Sequence, residues 1–149
     1  MKSAPARAVR LPAAREPDRP VLFVDGHCVL CQGLARWVAH RDRRGRLALS
    51  TLQGETAGRL LPAMLRSPTS PDTVVLRTVD GSLYVRSAAA IRALSELGGW
   101  YRAAVLLFLV PRSLRDSAYA AVARRRRRWW GATARCELAG LPIRTPVLK

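Results

Sequence analysis

Lysine is almost missing from this chain: 24 of its 26 basic residues are arginine and two are lysine. Acidic residues are also few, 10 against those 26. The resulting net charge of +16 excludes a neutral surface and draws anions, whether nucleic acid, anionic lipid or acidic protein. Long hydrophobic runs are lacking as well. The longest uncharged apolar stretch, Ala103–Val110, has eight residues, against the roughly 20 that a helix needs to cross a bilayer. The first twenty residues carry four arginines and four prolines, and no apolar run of the kind that a secretory signal requires. Cysteine is limited to three, an odd number that does not build the paired framework of a small secreted domain. No internal repeat is present. These absences lead to the expectation of a soluble, cytoplasmic protein with mostly reduced thiols and no transmembrane segment.

Apolar residues make up 49% of 149 positions, enough for one core. Residues 1–19, rich in Pro, Ala and Arg without periodicity, are expected to form a disordered basic arm. Val21–Asp25 is short, apolar and β-prone, and Pro20 precedes it without removing a needed donor. Gly26 permits a sharp turn. From Cys28 to about His40, Leu30, Leu34, Trp37 and Val38 follow the i, i+4, i+7, i+8 spacing of an amphipathic helix. Leu47–Leu52 alternates as a strand. Glu55–Leu65 is expected as a short helix disturbed late by Pro62. Thr73–Val79 and Ser82–Arg86 flank Asp80-Gly81, a type I′ hairpin signal. Ser87 is placed to cap a helix reaching Leu97, stopped by Gly98 and Gly99.

The predicted order is β-α-β-α-β-β-α: a parallel βαβ unit, then an antiparallel hairpin and a helix. That α/β topology is the thioredoxin-like core, here residues 20–99. Residues 100–149 are expected to form a C-terminal helical extension and tail. Trp100–Val110 is nearly all apolar and is expected to be buried against the core. Pro111 ends that segment. Ser113 and Asp116 resemble a capping box opening a last helix through about Trp130, which Gly131 stops.

Cys28 and Cys31 fall at the end of the first strand and the mouth of the first helix. Helix-terminal amides and the positive end of the dipole favour a thiolate there. The C-x-x-C spacing sets the sulfurs one turn apart, so a disulfide closes with little backbone change. Cys28, expected at the exposed mouth, is the candidate nucleophile, and Cys31, one turn in, the candidate resolving thiol. Asp25 is a candidate proton acceptor from Cys31; it also has the chemistry of a turn-former that bonds the Gly26–Cys28 amides. His27 stabilises a thiolate if protonated, or simply faces solvent. Zinc competes for the pair, but a structural site needs four ligands, and only Cys136 and two histidines remain to supply them. No cofactor or metal is expected.

At these residues the chain resembles the DCC-type thiol-disulfide oxidoreductases, a thioredoxin-like group. The family's D-G-x-C-x-x-C pattern stands as Asp25-Gly26-His27-Cys28-Val29-Leu30-Cys31 after the strand Val21–Val24. The later pattern P-x-x-x-R-D-x-x-Y stands as Pro111, Arg115, Asp116 and Tyr119, and an arginine-aromatic-glycine segment with a closing cysteine as Arg126, Trp130, Gly131 and Cys136. Coverage runs from about Pro20 to Pro142. Arg127 departs from the family, which often has an aromatic there. Thioredoxins place a cis-proline directly before the third strand; here Asp72 separates Pro71 from Thr73. The resemblance implies disulfide exchange with a protein or small-molecule thiol or disulfide.

Arg124–Arg128 followed by Trp129-Trp130 has the ingredients of a nucleic-acid patch. Five consecutive helical residues point all round, however, and cations are favoured near a helix C-terminus. Arg115, Asp116 and Tyr119 are expected to fix the last helix, and Cys136 to be an unpaired thiol. Two functions therefore stand side by side. One is a thiol-disulfide oxidoreductase. The other is a basic module for nucleic acid or anionic membrane, with structural or zinc-bound cysteines and weak contacts to anionic surfaces.

Overall fold

A computed structural model of the chain describes residues 17–66, 74–130 and 147–148. The side chains of Arg126, Arg127, Trp130 and Val147 lie outside that description. The elements run β1 (Val21–Val24), α1 (Val29–Arg41), β2 (Ala48–Thr51), α2 (Glu55–Leu60), α3 (Ala63–Arg66), β3 (Val74–Arg77), β4 (Leu83–Val85), α4 (Arg86–Glu96), a 3₁₀ helix (Gly99–Leu109), α5 (Arg112–Trp130) and β5 (Val147–Leu148). The sheet order is β4-β3-β1-β2-β5. β1 pairs parallel with β2 and antiparallel with β3, and β3 pairs antiparallel with β4. This is the thioredoxin-like arrangement expected from the element order, extended at one edge by the two-residue β5, which pairs parallel with β2.

β1 is buried along its whole length because both faces of the sheet are covered. Leu22 and Val24 join Leu49, Val74 and Leu76 beneath α1 and α4. Val21 and Phe23 join Ala48 and Val75 on the opposite face, where Ala57 and Leu60 of α2 cover them. The strand period of two thus divides one apolar run between two cores.

α1 meets the sheet through smaller residues than its pattern predicts. Its buried stripe is Cys31, Ala35, Val38 and Ala39, with Cys28 just before it. Leu30 and Leu34 flank the stripe, and Trp37 is exposed. Small side chains let the helix axis approach β1, so the bulkier residues are displaced to the sides. After α1, Asp42 turns the chain. Its Oδ1 accepts the Arg46 amide (3.0 Å) and its Oδ2 the Leu47 amide (2.9 Å). The side chain is buried, so it supplies two acceptors that water cannot.

Pro62 divides the expected Glu55–Leu65 helix into α2 and α3. The hairpin forms where expected with a different turn. Thr78 O accepts the Gly81 amide (3.0 Å) and Ser82 O the Thr78 amide (2.9 Å). Gly81 has φ +84°, and Asp80 is not left-handed. Type I′ needs both central residues left-handed; here one glycine after the turn absorbs the twist. Ser87 does not cap α4: the extended N-cap is Val85, and Ser87 is buried inside the first turn. Ser113 does not cap α5 either. That helix starts at Arg112, and Pro111 O accepts the amides of Leu114 and Arg115 (both 3.1 Å).

The largest departure is Gly99–Leu109. It packs on α4, yet none of its residues is buried. Both sheet faces are already covered, so this segment lies outside the two cores. Residues 1–16, Pro71, Thr73 and Cys136 lie outside the described residues, and with them the expected basic arm and the start of the third strand.

Replacing Asp42 with Ala strands two amides at a buried turn. Urea unfolding of Asp42→Ala is expected to show a loss of about 2–4 kcal/mol, the cost of a buried network left unpaired. Asp42→Asn, which keeps one acceptor, is expected to lose less.

Candidate active site

β1 is the middle strand of the sheet, and after Val24 the chain must turn sharply to begin α1 at Val29. Four residues, Asp25–Cys28, make that turn. The Cys28 amide donates to Asp25 O (3.3 Å), and the Gln32 amide to Cys28 O (3.0 Å), which is the first bond of the helix ladder. Cys28 is the N-cap, with extended backbone (φ −101°, ψ 119°) and no side-chain cap. The amides of the first helical turn therefore open toward the cysteine end.

Polar groups from three segments hold the turn. Asp25 Oδ1 accepts the His27 amide (3.0 Å) and the Gln53 side-chain amide (3.2 Å). Gln53 Oε1 accepts the Gly26 amide (3.0 Å). The buried Gln32 donates from Nε2 to Gly26 O (2.7 Å). The Asp25–His27 contact is the Asx turn foreseen as one role of this carboxylate. The two glutamines were not foreseen. Gln32 carried a legible signal, since it sits four residues after the helix N-cap on the face that also carries the cysteines. Gln53 lies 28 residues from Asp25, and nothing local marks it.

Neither Cys28 nor Cys31 is in a disulfide, and both are buried: Cys28 is 3% exposed and Cys31 4%. The expectation of an exposed Cys28 is not met. Its extended backbone turns the side chain inward to the cluster formed by Leu22, Val24, Leu49 and Val74. His27 and Val29, on either side, are exposed. Among the described residues, no three His, Cys, Asp or Glu side chains are grouped to hold a metal ion.

The family model for DCC1-like thiol-disulfide oxidoreductases matches residues 22–132. The chain belongs to that family. It is 36% identical over 128 residues to the uncharacterized protein YuxK of Bacillus subtilis, covering 86% of this chain and 92% of that one. It is 32% identical over 124 residues to a chloroplastic DCC family protein of Arabidopsis thaliana, covering 83% and 72%. No solved structure matches.

The other DCC-type pattern, Pro111, Arg115, Asp116 and Tyr119, falls at the start of α5, a helix that also contacts α1. Asp116 Oδ1 accepts from the Ser87 hydroxyl (2.5 Å), and its Oδ2 from Arg112 Nε (3.2 Å). Arg115 donates from Nε to Val110 O (3.0 Å) and from Nη1 to Ser87 Oγ (3.4 Å). Its guanidinium lies 4.9 Å from the centre of the Phe108 ring. The node ties α5, the 3₁₀ helix and α4 together. The expectation that Arg115 and Asp116 fix the last helix is met by bonds between elements rather than by capping.

Burial pushes the Asp116 carboxyl up, but the Ser87 hydroxyl, the Arg112 guanidinium and the Arg86 charge outweigh it and hold the group below its ordinary value. A carboxylate depressed in the folded state adds stability above the unfolded value of about 3.9, lost as pH falls through the folded one. Asp116→Asn is therefore expected to lower the urea midpoint at neutral pH. The gap from wild type should close as pH drops below about 4.

Proposed function

We propose that the chain exchanges disulfides through Cys28 and Cys31, with Cys28 as nucleophile and Cys31 as resolving thiol. The observation that carries this reading is the placement of two cysteines outside any disulfide at the first turn of α1, at the carboxyl end of β1 in a thioredoxin-like sheet. Membership of a family named for thiol-disulfide oxidoreduction supports it.

In the reducing direction, the Cys28 thiolate attacks one sulfur of a substrate disulfide. The substrate S–S bond breaks, a mixed disulfide forms on Cys28, and the other substrate sulfur leaves as a thiolate. Cys31 then loses its proton and attacks Cys28 Sγ. The mixed disulfide breaks, the Cys28–Cys31 bond forms, and the second substrate sulfur leaves. Two electrons pass to the substrate, and the reverse sequence oxidises a dithiol. Asp25 is proposed as the acceptor of the Cys31 proton. With Cys28 buried, access requires the Asp25–Cys28 turn to open, and the bonds that hold it run through Gln53 and Gln32.

Cys31→Ser is expected to accumulate a mixed disulfide on Cys28 when mixed with oxidised glutathione, read as a mass increase that dithiothreitol removes. Cys28→Ser should accumulate none by this route. Failure of Cys31→Ser to trap any disulfide overturns the reading.

Asp25→Asn separates the two roles of that residue. Asparagine still accepts the His27 amide, so the turn and the unfolding midpoint should survive. The resolving step, followed by rapid quench, should slow by about 10²-fold if the carboxylate takes the proton. An unchanged rate across the pH range would reduce Asp25 to a turn-former.

A further inference from the structure

The apolar segment outside the two cores has an ordered exposure. In a 3₁₀ helix, residues three apart eclipse one another. Trp100, Ala103, Leu106 and Leu109 therefore form one row along Gly99–Leu109, about 18 Å long at 2.0 Å per residue. It is the outward row: Trp100 is 76% exposed, Leu106 64% and Leu109 82%. Tyr101, Ala104 and Phe108, on the other rows, are half-buried. Tyr101 meets the Trp37 ring edge-on at 5.7 Å and also takes a hydrogen bond from Arg41 of α1. Phe108 lies under Arg92 of α4 and Arg115 of α5. Val105 and Leu107, on those same rows, are 46% and 48% exposed. The helix is thus anchored through Tyr101 and Phe108 and presents an apolar ridge, with Val105 and Leu107 at its sides, outward.

The tryptophan end of the ridge borders a cleft of about 410 Å³ lined by Arg41, Arg43, Arg44, Arg46, Gly98 and Tyr101, among others. Among the described residues, no carboxylate lines it. The nearby Asp42 is buried and turns both oxygens to backbone amides. Trp100 stacks on Tyr101 at 4.3 Å at its rim. Arg102, on the row beside the ridge, is exposed.

We propose that this face docks on an anionic lipid bilayer, with Leu106 and Leu109 entering the headgroup–acyl boundary, Trp100 at its level, and the arginine cleft on lipid phosphates. Apolar residues with a tryptophan on one face and arginines beside them are what an interfacial helix requires. Each basic side chain near an anionic surface adds attraction. Charge selects this occupant over a second copy, because another chain would bring the same arginines to the contact. An acidic protein matches the arginines but not the adjacent apolar face, whereas an anionic bilayer supplies both a phosphate layer and an apolar layer. The proposal does not rest on the redox reading.

The test is co-sedimentation of the full chain with phosphatidylglycerol–phosphatidylcholine vesicles and with phosphatidylcholine alone. Binding is expected to the first and not to the second. Leu106→Ser/Leu109→Ser, at exposed positions, should weaken it by about tenfold or more. Arg43→Glu/Arg44→Glu should do the same and remove most of its salt dependence. Equal binding by the leucine variant would mean adsorption by charge alone and overturn the proposal. So would an equal loss of its binding to duplex RNA, or a wild-type dimer that the leucine variant abolishes. Bromolipid quenching in the wild type gives a reading independent of folding. It should fall in Trp100→Phe, and absence of quenching in the wild type would also overturn the proposal.

Discussion

The packing of α1 on the sheet through small side chains governs where both thiols lie. The helix faces the sheet with Cys31, Ala35, Val38 and Ala39 rather than with its large residues. The thiols are consequently part of the core packing and not additions to its surface. A group buried among Leu22, Val24 and Leu49 is held in one geometry by its neighbours. It meets a partner only when part of that packing moves. Positional order and restricted access are two results of the same contact.

The turn before α1 shows where such movement can be localised. Its backbone is not held by the sheet, whose β1 pairing ends at Val24. It is held by side chains from the next loop and from the helix interior, Gln53 and Gln32. Hydrogen bonds of this kind contribute about 1 kcal/mol each, far less than the packing beneath. The cysteine turn can therefore open, carrying Cys28 with it, while the rest of the two cores stays packed. The Ser87–Asp116–Arg115 node on α4 and α5 is built from different residues.

The fold was legible in the sequence where period and punctuation agree. Val21–Val24, Pro62, Gly81 and the Gly98-Gly99 stop each act through local backbone chemistry. The cysteine pair was legible because its spacing and its place after a strand are both local. Burial was less legible. Size and apolarity favoured Leu30, Leu34 and Trp37 for the core face of α1, whereas close packing selects small residues there. Trp100–Val110 was expected inside for its composition, but composition carries no information on whether the sheet faces are already occupied. Ser87 and Ser113 look like caps in isolation. Their real surroundings depend on Asp116 and Pro111, and for Ser87 the partner is 29 residues away.

The edge strand β5 has a consequence for the order of assembly. Leu148 O accepts the Ser50 hydroxyl across 98 residues of chain (3.0 Å). As the chain is made from its N-terminus, β1 to β4 are complete by Val85, and β2 has an open edge until Val147 and Leu148 have been added. An unpaired edge invites pairing with other chains during that interval. Four strands can therefore form from contacts of modest separation, and the last closure is slow and distant. A shortened chain lacking residues 147–148 would lose the strand that covers the β2 edge, along with the packing of Leu148 on the second core.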